Sequence, residues 1–339
     1  MQRKILIIYT GGTIGMIQNQ ETGSLQPFNF DKIWDEFPEL KRFAHQLDTI
    51  AFEPAIDSSD VTVEVWVKLA KTIKTNYNQY DGFVVLHGTD TMSYSASALS
   101  FMLENLQKPI IFTGSQLPIG MLRTDGKENF ITAIEIAAAY KNEKAIVPEV
   151  AILFEDKLMR GNRTTKHNSE DFDAFHSYNY RELANIGIHI KYNHHRINEP
   201  SSGHFGINTK MDTNVCILKL FPSIGKEIVQ SIISIPNLKG IILETYGAGN
   251  AMTDSWFLEM LRQAINRGIH IINISQCKAG SVNMNIYEAG RGLAEAGVID
   301  GGDMTTEAAL TKLMHLLGQN LSSEMLRKRC QTSLKGEIS

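Results

Sequence analysis

The sequence predicts an α/β protein: a larger amino-terminal domain on a doubly wound, mostly parallel sheet, followed by a smaller carboxyl-terminal α/β domain. Two observations predict this. Continuous apolar runs recur at Ile5-Leu6-Ile7-Ile8, Phe83-Val84-Val85-Leu86 and Ile110-Ile111-Phe112, without alternation, as expected of strands covered on both faces. Between them the apolar residues take helical spacing: Val65, Leu69 and Ile73 before Asp81, then Met92, Ala96, Leu99, Leu103 and Leu106 after Asp90. Strand and helix alternate, which is the pattern of a doubly wound sheet.

Taken in order, each strand runs into a polar loop. The first ends at Thr10-Gly11-Gly12-Thr13-Ile14-Gly15, the second at His87-Gly88-Thr89-Asp90-Thr91 and the third at Thr113-Gly114-Ser115-Gln116, while the run Val150 to Phe154 leads to Arg160-Gly161-Asn162-Arg163-Thr164-Thr165-Lys166. An open parallel sheet gathers such loops beyond the carboxyl ends of its strands, so hydroxyls distant in sequence can converge on one small ligand. The chain therefore reads as an enzyme. Residues 191–212, KYNHHRINEPSSGHFGINTKMD, are polar and rich in Asn, Pro, Ser and Gly, and read as a linker between domains at 1–190 and 213–339. Beyond it the alternation resumes with Val215-Cys216-Ile217-Leu218, Gly240-Ile241-Ile242-Leu243 and Ile269-His270-Ile271-Ile272; Tyr246-Gly247-Ala248-Gly249-Asn250 follows the second of these.

Composition narrows the function classes. At 339 residues about two domains are expected. Basic and acidic residues nearly balance, 33 against 37 for a net charge of −4, with no like-charge block, which argues against nucleic acid or a membrane as partner. A small polar ligand fits better. Three widely spaced cysteines offer neither a disulfide framework nor a CxxC site, so a reducing, cytoplasmic setting is expected. The apolar stretch behind Met1 is too short for a signal-peptide core, and no run reaches transmembrane length. The Gly11-Gly12-Thr13 turn lacks a P-loop ending and does not fit GxGxxG, and Asp31 opens a helix instead of ending a strand. No nucleotide, metal or other cofactor is expected: none of the ten histidines makes HExxH, His194-His195 reads as solvated, and Cys277 reads as a small buried hydrophobe.

Each loop has a plain structural reading beside a chemical one. Gly11-Gly12-Thr13 could be strand punctuation. Asp90 or Thr91 could cap the helix starting at Met92, yet capping needs one such residue, and Thr89, Asp90 and Thr91 together look like a nucleophile with its activator. In Asp57-Ser58-Ser59-Asp60, Asp60 could cap the next helix, and the surplus oxygens could hold an amino acid's ammonium and carboxylate. Arg160 to Lys166 could be a solvated basic loop, or could bring Lys166 beside Asp90 as a base.

Together these blocks resemble the signature blocks of bacterial-type L-asparaginases in the asparaginase/glutaminase family, closest to the cytoplasmic type I enzymes. The resemblance spans nearly the whole chain, and its two threonine motifs are its most specific part. It implies hydrolysis of L-asparagine to L-aspartate and ammonia through a threonine acyl-enzyme, with Thr13 as nucleophile and Thr89 acting with Asp90 and Lys166. Which threonine attacks first stays open. The resemblance further implies that Asp57, Ser58 and Ser59 bind the substrate with Asp90, and that Ser115 and its loop line the side-chain end. Asn250, with the turn from Gly280 to Glu288 beside it, would complete the site of a neighbouring subunit in a homodimer or homotetramer, and an allosteric asparagine site is conceivable. In one respect the chain departs from many members: Glu21-Thr22-Gly23-Ser24-Leu25-Gln26-Pro27 holds no Tyr, leaving the base for Thr13 unassigned. Alternatives are a weakly catalytic asparagine-binding sensor and a glutaminase or amidotransferase-type relative.

Overall fold

The computed structural model describes residues 2–18, 25–27, 38–284 and 288–339. The chain forms two compact units, Met1–Asn208 and Thr209–Ser339. In the first, β1 (Lys4–Tyr9), β2 (Gln46–Ala51), β3 (Gly82–Leu86), β4 (Ile110–Thr113) and β5 (Val150–Phe154) form the parallel part of one sheet, in the spatial order β2-β1-β3-β4-β5. Three antiparallel strands, β6 (Lys157–Arg160), β7 (Ala184–Asn185) and β8 (Lys191–Tyr192), extend it beyond β5. Ile5 to Ile8 and Phe83 to Leu86 are wholly buried, as apolar runs covered on both faces should be. Each such side chain contributes roughly 1.5–3 kcal/mol of burial.

Helix α1 (Val63–Asn76) buries Trp66, Leu69, Ala70 and Ile73 on one stripe, the face its periodicity predicts. Thr62, not Asp60, is its N-cap; Asp60 closes a short 3-10 turn capped by Asp57. Helix α2 (Met92–Met102) stops sooner than its apolar spacing suggests, because Leu103–Glu104 turns extended and pairs with Gly206–Ile207. A contact a hundred residues away thus overrides a local period. Helix α3 (Gly126–Ala137) buries Phe130, Ala133, Ile134 and Ile136. The stretch read as a linker, 191–212, is not a bare connector, since β8 and Gly206–Ile207 lie inside it and both pair with the first unit.

The second unit is a parallel sheet of β9 (Val215–Lys219), β10 (Gly240–Thr245), β11 (His270–Ser275) and β12 (Ile299–Asp300), paired in sequence order. Helices α4 (Lys226–Ile233), α5 (Ser255–Asn266), α6 (Glu288–Ala296), α7 (Thr306–Leu317) and α8 (Ser323–Gln331) accompany it. Two apolar clusters form its core, one around Ile241, Leu243, Phe257 and Ile271, the other around Ile242, Ile272, Leu313 and Cys330. Among the described residues no helix is long and apolar enough to cross a membrane.

Candidate active site

The order β2-β1-β3-β4-β5 reverses direction between β1 and β3, and in open α/β sheets ligands bind at that switch point, beyond the carboxyl ends of the strands. Both threonine loops leave the sheet there. Gly12 and Gly88 touch: a Cβ added to Gly12 would fall 2.4 Å from the Gly88 Cα, and Gly12 has φ +92, so no other residue fits this crossing easily. Thr13 follows in a single 3-10 turn and is half-buried. The turn rests on Tyr9, whose hydroxyl donates to the Gly15 carbonyl, and burial pushes that phenol up to about 12.

The loop from Asp57 to Asp60 closes on the same place. A Cβ on Gly88 would lie 2.5 Å from Ser58 Oγ, and Thr91 Oγ1 donates to the Ser58 carbonyl at 2.6 Å. Thr91 occupies the N-cap position of α2, but its hydroxyl makes no cap bond, nor does Asp90 fill that role; tying the two loops together wins. The Asp57 carboxylate accepts from the Ser59 N–H at 2.9 Å and the Ser59 hydroxyl at 2.8 Å. Those two bonds hold it below the usual carboxylate range, the backbone one foremost.

Lys166 completes the cluster. Thr165–Lys166 pairs antiparallel with Phe175–His176, and the preceding turn, Gly161–Arg163, packs against α2 with a Gly161 Cβ position 3.0 Å from Ala96. Its Nζ donates to Thr89 Oγ1 at 2.8 Å and to Asp90 Oδ1 at 2.8 Å. The lysine side chain is 17% exposed and that of Asp90 65%, so the ion pair has one dry and one wet end. The rest of Arg160 to Lys166 is not a solvated basic loop. Arg160 is buried against Glu149 at 2.6 Å and under the Tyr180 ring, and Asn162, Arg163 and Thr164 are buried.

Two of the expected site residues stand elsewhere than their chemistry suggests. Ser115 is buried and donates its hydroxyl to the Leu117 carbonyl at 2.6 Å. The side chain of that loop that reaches Thr89 is Gln116, whose Oε1 accepts from Thr89 Oγ1 at 3.3 Å. Asn250 lies in the second unit, in a turn closed by paired bonds with Tyr246 and braced by Asn273 Nδ2 on the Gly249 carbonyl and Ser275 Oγ on the Gly247 carbonyl. Cys277 is exposed, not a buried hydrophobe. Glu21 to Ser24 and Asp31 fall outside the described residues, as do 285–287 of the Gly280 to Glu288 turn.

A buried row behind Thr89 has no motif to announce it. Trp66 Nε1 donates to Ser95 Oγ at 2.9 Å, Ser95 Oγ lies 2.9 Å from His87 Nε2, and His87 Nδ1 lies 2.7 Å from the Gly88 carbonyl. With Ser95 donating to Nε2, the Nδ1–H donates to Gly88, which fixes the tautomer and braces the loop. Burial drives the His87 imidazole down to about 4, so it is neutral.

Residues 4–198 match the family model "Asparaginase, N-terminal", and residues 214–329 match "Glutaminase/Asparaginase C-terminal domain". The chain belongs to the asparaginase family. It is 44% identical over 351 residues to L-asparaginase 1 of Escherichia coli (strain K12), covering 100% of this chain and 99% of that protein. It is also 40% identical to the 60 kDa lysophospholipase of Mus musculus, across 99% of this chain and 63% of that one. Among solved structures, L-asparaginase I from Vibrio cholerae superimposes with a TM-score of 0.91 at 42% identity, covering 100% of both chains. Seen as an asparaginase-family fold, the chain keeps both threonine loops on the carboxyl ends of one parallel sheet, and Lys166 reaches Thr89 from the segment that follows antiparallel β6.

Proposed function

We propose that the chain hydrolyses L-asparagine to L-aspartate and ammonia through a threonine acyl-enzyme. The observation that carries the reading is Lys166 Nζ donating at 2.8 Å to both Thr89 and Asp90, beside the Gly12–Gly88 contact that brings the Thr13 turn to the same strand ends. Full-length similarity to L-asparaginase 1 supports the substrate. In this reading Thr13 Oγ attacks the side-chain amide carbon, its proton leaves with the amide nitrogen as ammonia, and an ester forms. Water then adds to the ester carbon, aspartate departs, and Thr13 regains its proton. Thr89 and Lys166 relay protons, since a hydroxyl is a weak nucleophile until a base takes its hydrogen. Backbone N–H groups of the glycine-rich loops are the donors for the developing oxyanion.

The substrate's charged α-groups match what the loops leave available. A carboxylate accepts through about four lone pairs, and Asp90, largely exposed beyond its bond to Lys166, retains capacity for an ammonium. Ser58 and Ser59 offer hydroxyls to the α-carboxylate, and Asp57 orients Ser59. We assign Asn250 to the site of a neighbouring subunit in a homo-oligomer, on the resemblance of its turn and the rigidity that Asn273 and Ser275 give it.

The test is ammonia release from L-asparagine, D-asparagine and L-glutamine in parallel. L-asparagine is hydrolysed, and L-glutamine is slower by roughly 10–200-fold in kcat/KM, the discrimination that one methylene supports. No ammonia from L-asparagine would contradict the reading. For Asn250, dissociated Thr13→Val and Asn250→Ala oligomers reassembled together should regain roughly a quarter of the parent activity, because paired subunits mix statistically. No recovery despite proven exchange would mean that each chain carries its own complete site.

A further inference from the structure

The hydrogen bonds around Thr89 have a direction, and one backbone carbonyl sets it. Gln116 Nε2 lies 3.1 Å from the carbonyl oxygen of Asp171. That oxygen can only accept, so the amide NH2 group must face it and Oε1 must face Thr89. An amide oxygen also only accepts, so Thr89 commits its single proton to Gln116 across 3.3 Å. Thr89 Oγ1 is then an acceptor toward Lys166, and the 2.8 Å contact requires the lysine to donate. A second lysine proton goes to Asp90. The donors therefore run from Lys166 to Thr89 to Gln116. Gln116 is itself fixed, because its N–H and that of Leu117 donate to the Asp125 carboxylate at 3.0 to 3.1 Å, and Asn129 Nδ2 braces the same carboxylate.

We propose that Gln116 is a positioning residue that turns the Thr89 hydroxyl proton away from Lys166 and so holds the resting site with its lysine charged and its threonine protonated. The proposal rests on the reading above, in which Thr89 relays protons to Lys166. For the relay to run, the lysine first gives one proton to solvent. The Thr89 hydroxyl then rotates, its proton passes to the neutral amine, and Oγ1 takes the proton of the attacking hydroxyl or water, so every oxygen keeps its count. Gln116 opposes the rotation, and its removal favours the neutral lysine. Other titratable groups on the surrounding elements are Asp90 after β3, Asp125 at the start of α3, Asp171, and the imidazoles of His167, next to Lys166 in the chain, and His176, set edge to face with it. None of these changes in the variants below.

The experiment compares the full-length parent with Gln116→Met and Gln116→Glu, following kcat/KM for L-asparagine against pH. Gln116→Met removes the acceptor and moves the rising alkaline limb to lower pH by about half a unit or more, the size of one neutral hydrogen bond. Gln116→Glu keeps an acceptor and adds negative charge beside the lysine, moving the limb to higher pH. Opposite displacements are the signature. Variants that lose kcat or melt earlier while the limb stays in place would overturn the proposal and leave Gln116 a structural residue. If the parent released no ammonia at all, the functional reading would fail separately. NMR of ε-labelled lysine, assigned with Lys166→Met, would still report whether Gln116→Met lets Lys166 lose its charge at lower pH, and no change there would also overturn the proposal.

Discussion

Lys166 and Lys312 each hold a carboxylate at hydrogen-bond distance, Asp90 at 2.8 Å and Glu337 at 2.6 Å, but in opposite surroundings. Asp90 is 65% exposed and its lysine also serves a hydroxyl, whereas Lys312 and Glu337 are both wholly buried. Lys312 spends its other protons on the carbonyls of Cys330 and Thr332, and Glu337 accepts from the N–H groups of Leu334 and Lys335. The second pair is saturated and pins the carboxyl-terminal segment to α7. The first is open to water on its Asp90 side, the face to which we assign the substrate's ammonium. A buried pair with every bond made serves structure, whereas the half-wet pair shares its lysine with the Thr89 hydroxyl and keeps one carboxylate face in water.

The largest effect expected on the chemical side is from the threonines. Thr13→Val and Thr89→Val should each lower kcat by on the order of 10³ or more with the melting temperature little changed, and the double variant should be little worse than either single, since parts of one unit fail together. Steady-state ammonia release checks this, and near-parent kcat in either single variant would remove that residue from the unit.

On the structural side, Lys312→Met takes the ammonium away from the buried Glu337 carboxyl group, which should cost about 3–5 kcal/mol in urea unfolding. Specific activity should be retained at temperatures where the variant is folded, and Lys312→Met with Glu337→Gln should recover much of the loss. Unchanged stability in the single variant would show that the pair is not the clamp it looks like.

An acid effect is shared by the two regions. His87 in the first unit and His315 in the second are both pushed down to about 4, chiefly by burial, against about 6.5 in an unfolded chain. Their folded forms bind fewer protons, so their contribution is complete above pH 6.5 and falls away as pH drops from there toward 4. Each adds a slope of up to about 1.4 kcal/mol per pH unit in that window. Urea unfolding between pH 7.5 and 4.5 should show it, with His87→Gln and His315→Gln each flattening the curve. A slope that neither variant changes would place the acid sensitivity elsewhere.

Much of this was legible in the residues. Unbroken apolar runs located four of the five parallel strands of the first sheet, missing Gln46–Ala51, which polar residues interrupt, and the polar loops after them held Thr13, Thr89 and Asp90, because a parallel sheet exposes its chemistry at one end. What failed to read were outcomes decided by distant partners. The spacing from Met92 to Leu106 looked helical throughout, but Gly206–Ile207 captures Leu103–Glu104 as a strand. Arg160 looked solvated in isolation, and only Glu149 and Tyr180 explain its burial. Ser115 has the more reactive side chain of its loop, yet it satisfies itself on Leu117 and leaves Gln116 to meet Thr89. Thr91 resembled a cap and became a tie to Ser58. Nothing in the spacing of Trp66, His87 and Ser95 suggests that they form one row.

The measurement that bears most directly on the contrast between the two lysines is Lys166→Met, assayed for kcat on L-asparagine and for thermal midpoint in the same preparation. Because Asp90 stays in water when its partner goes, the stability change should be that of an exposed pair, about 0–1 kcal/mol, while kcat falls by on the order of 10² or more, as for loss of a general base. Near-parent kcat, or a loss of activity matched by a collapse in the thermal midpoint, would contradict the account and make Lys166 a second structural clamp.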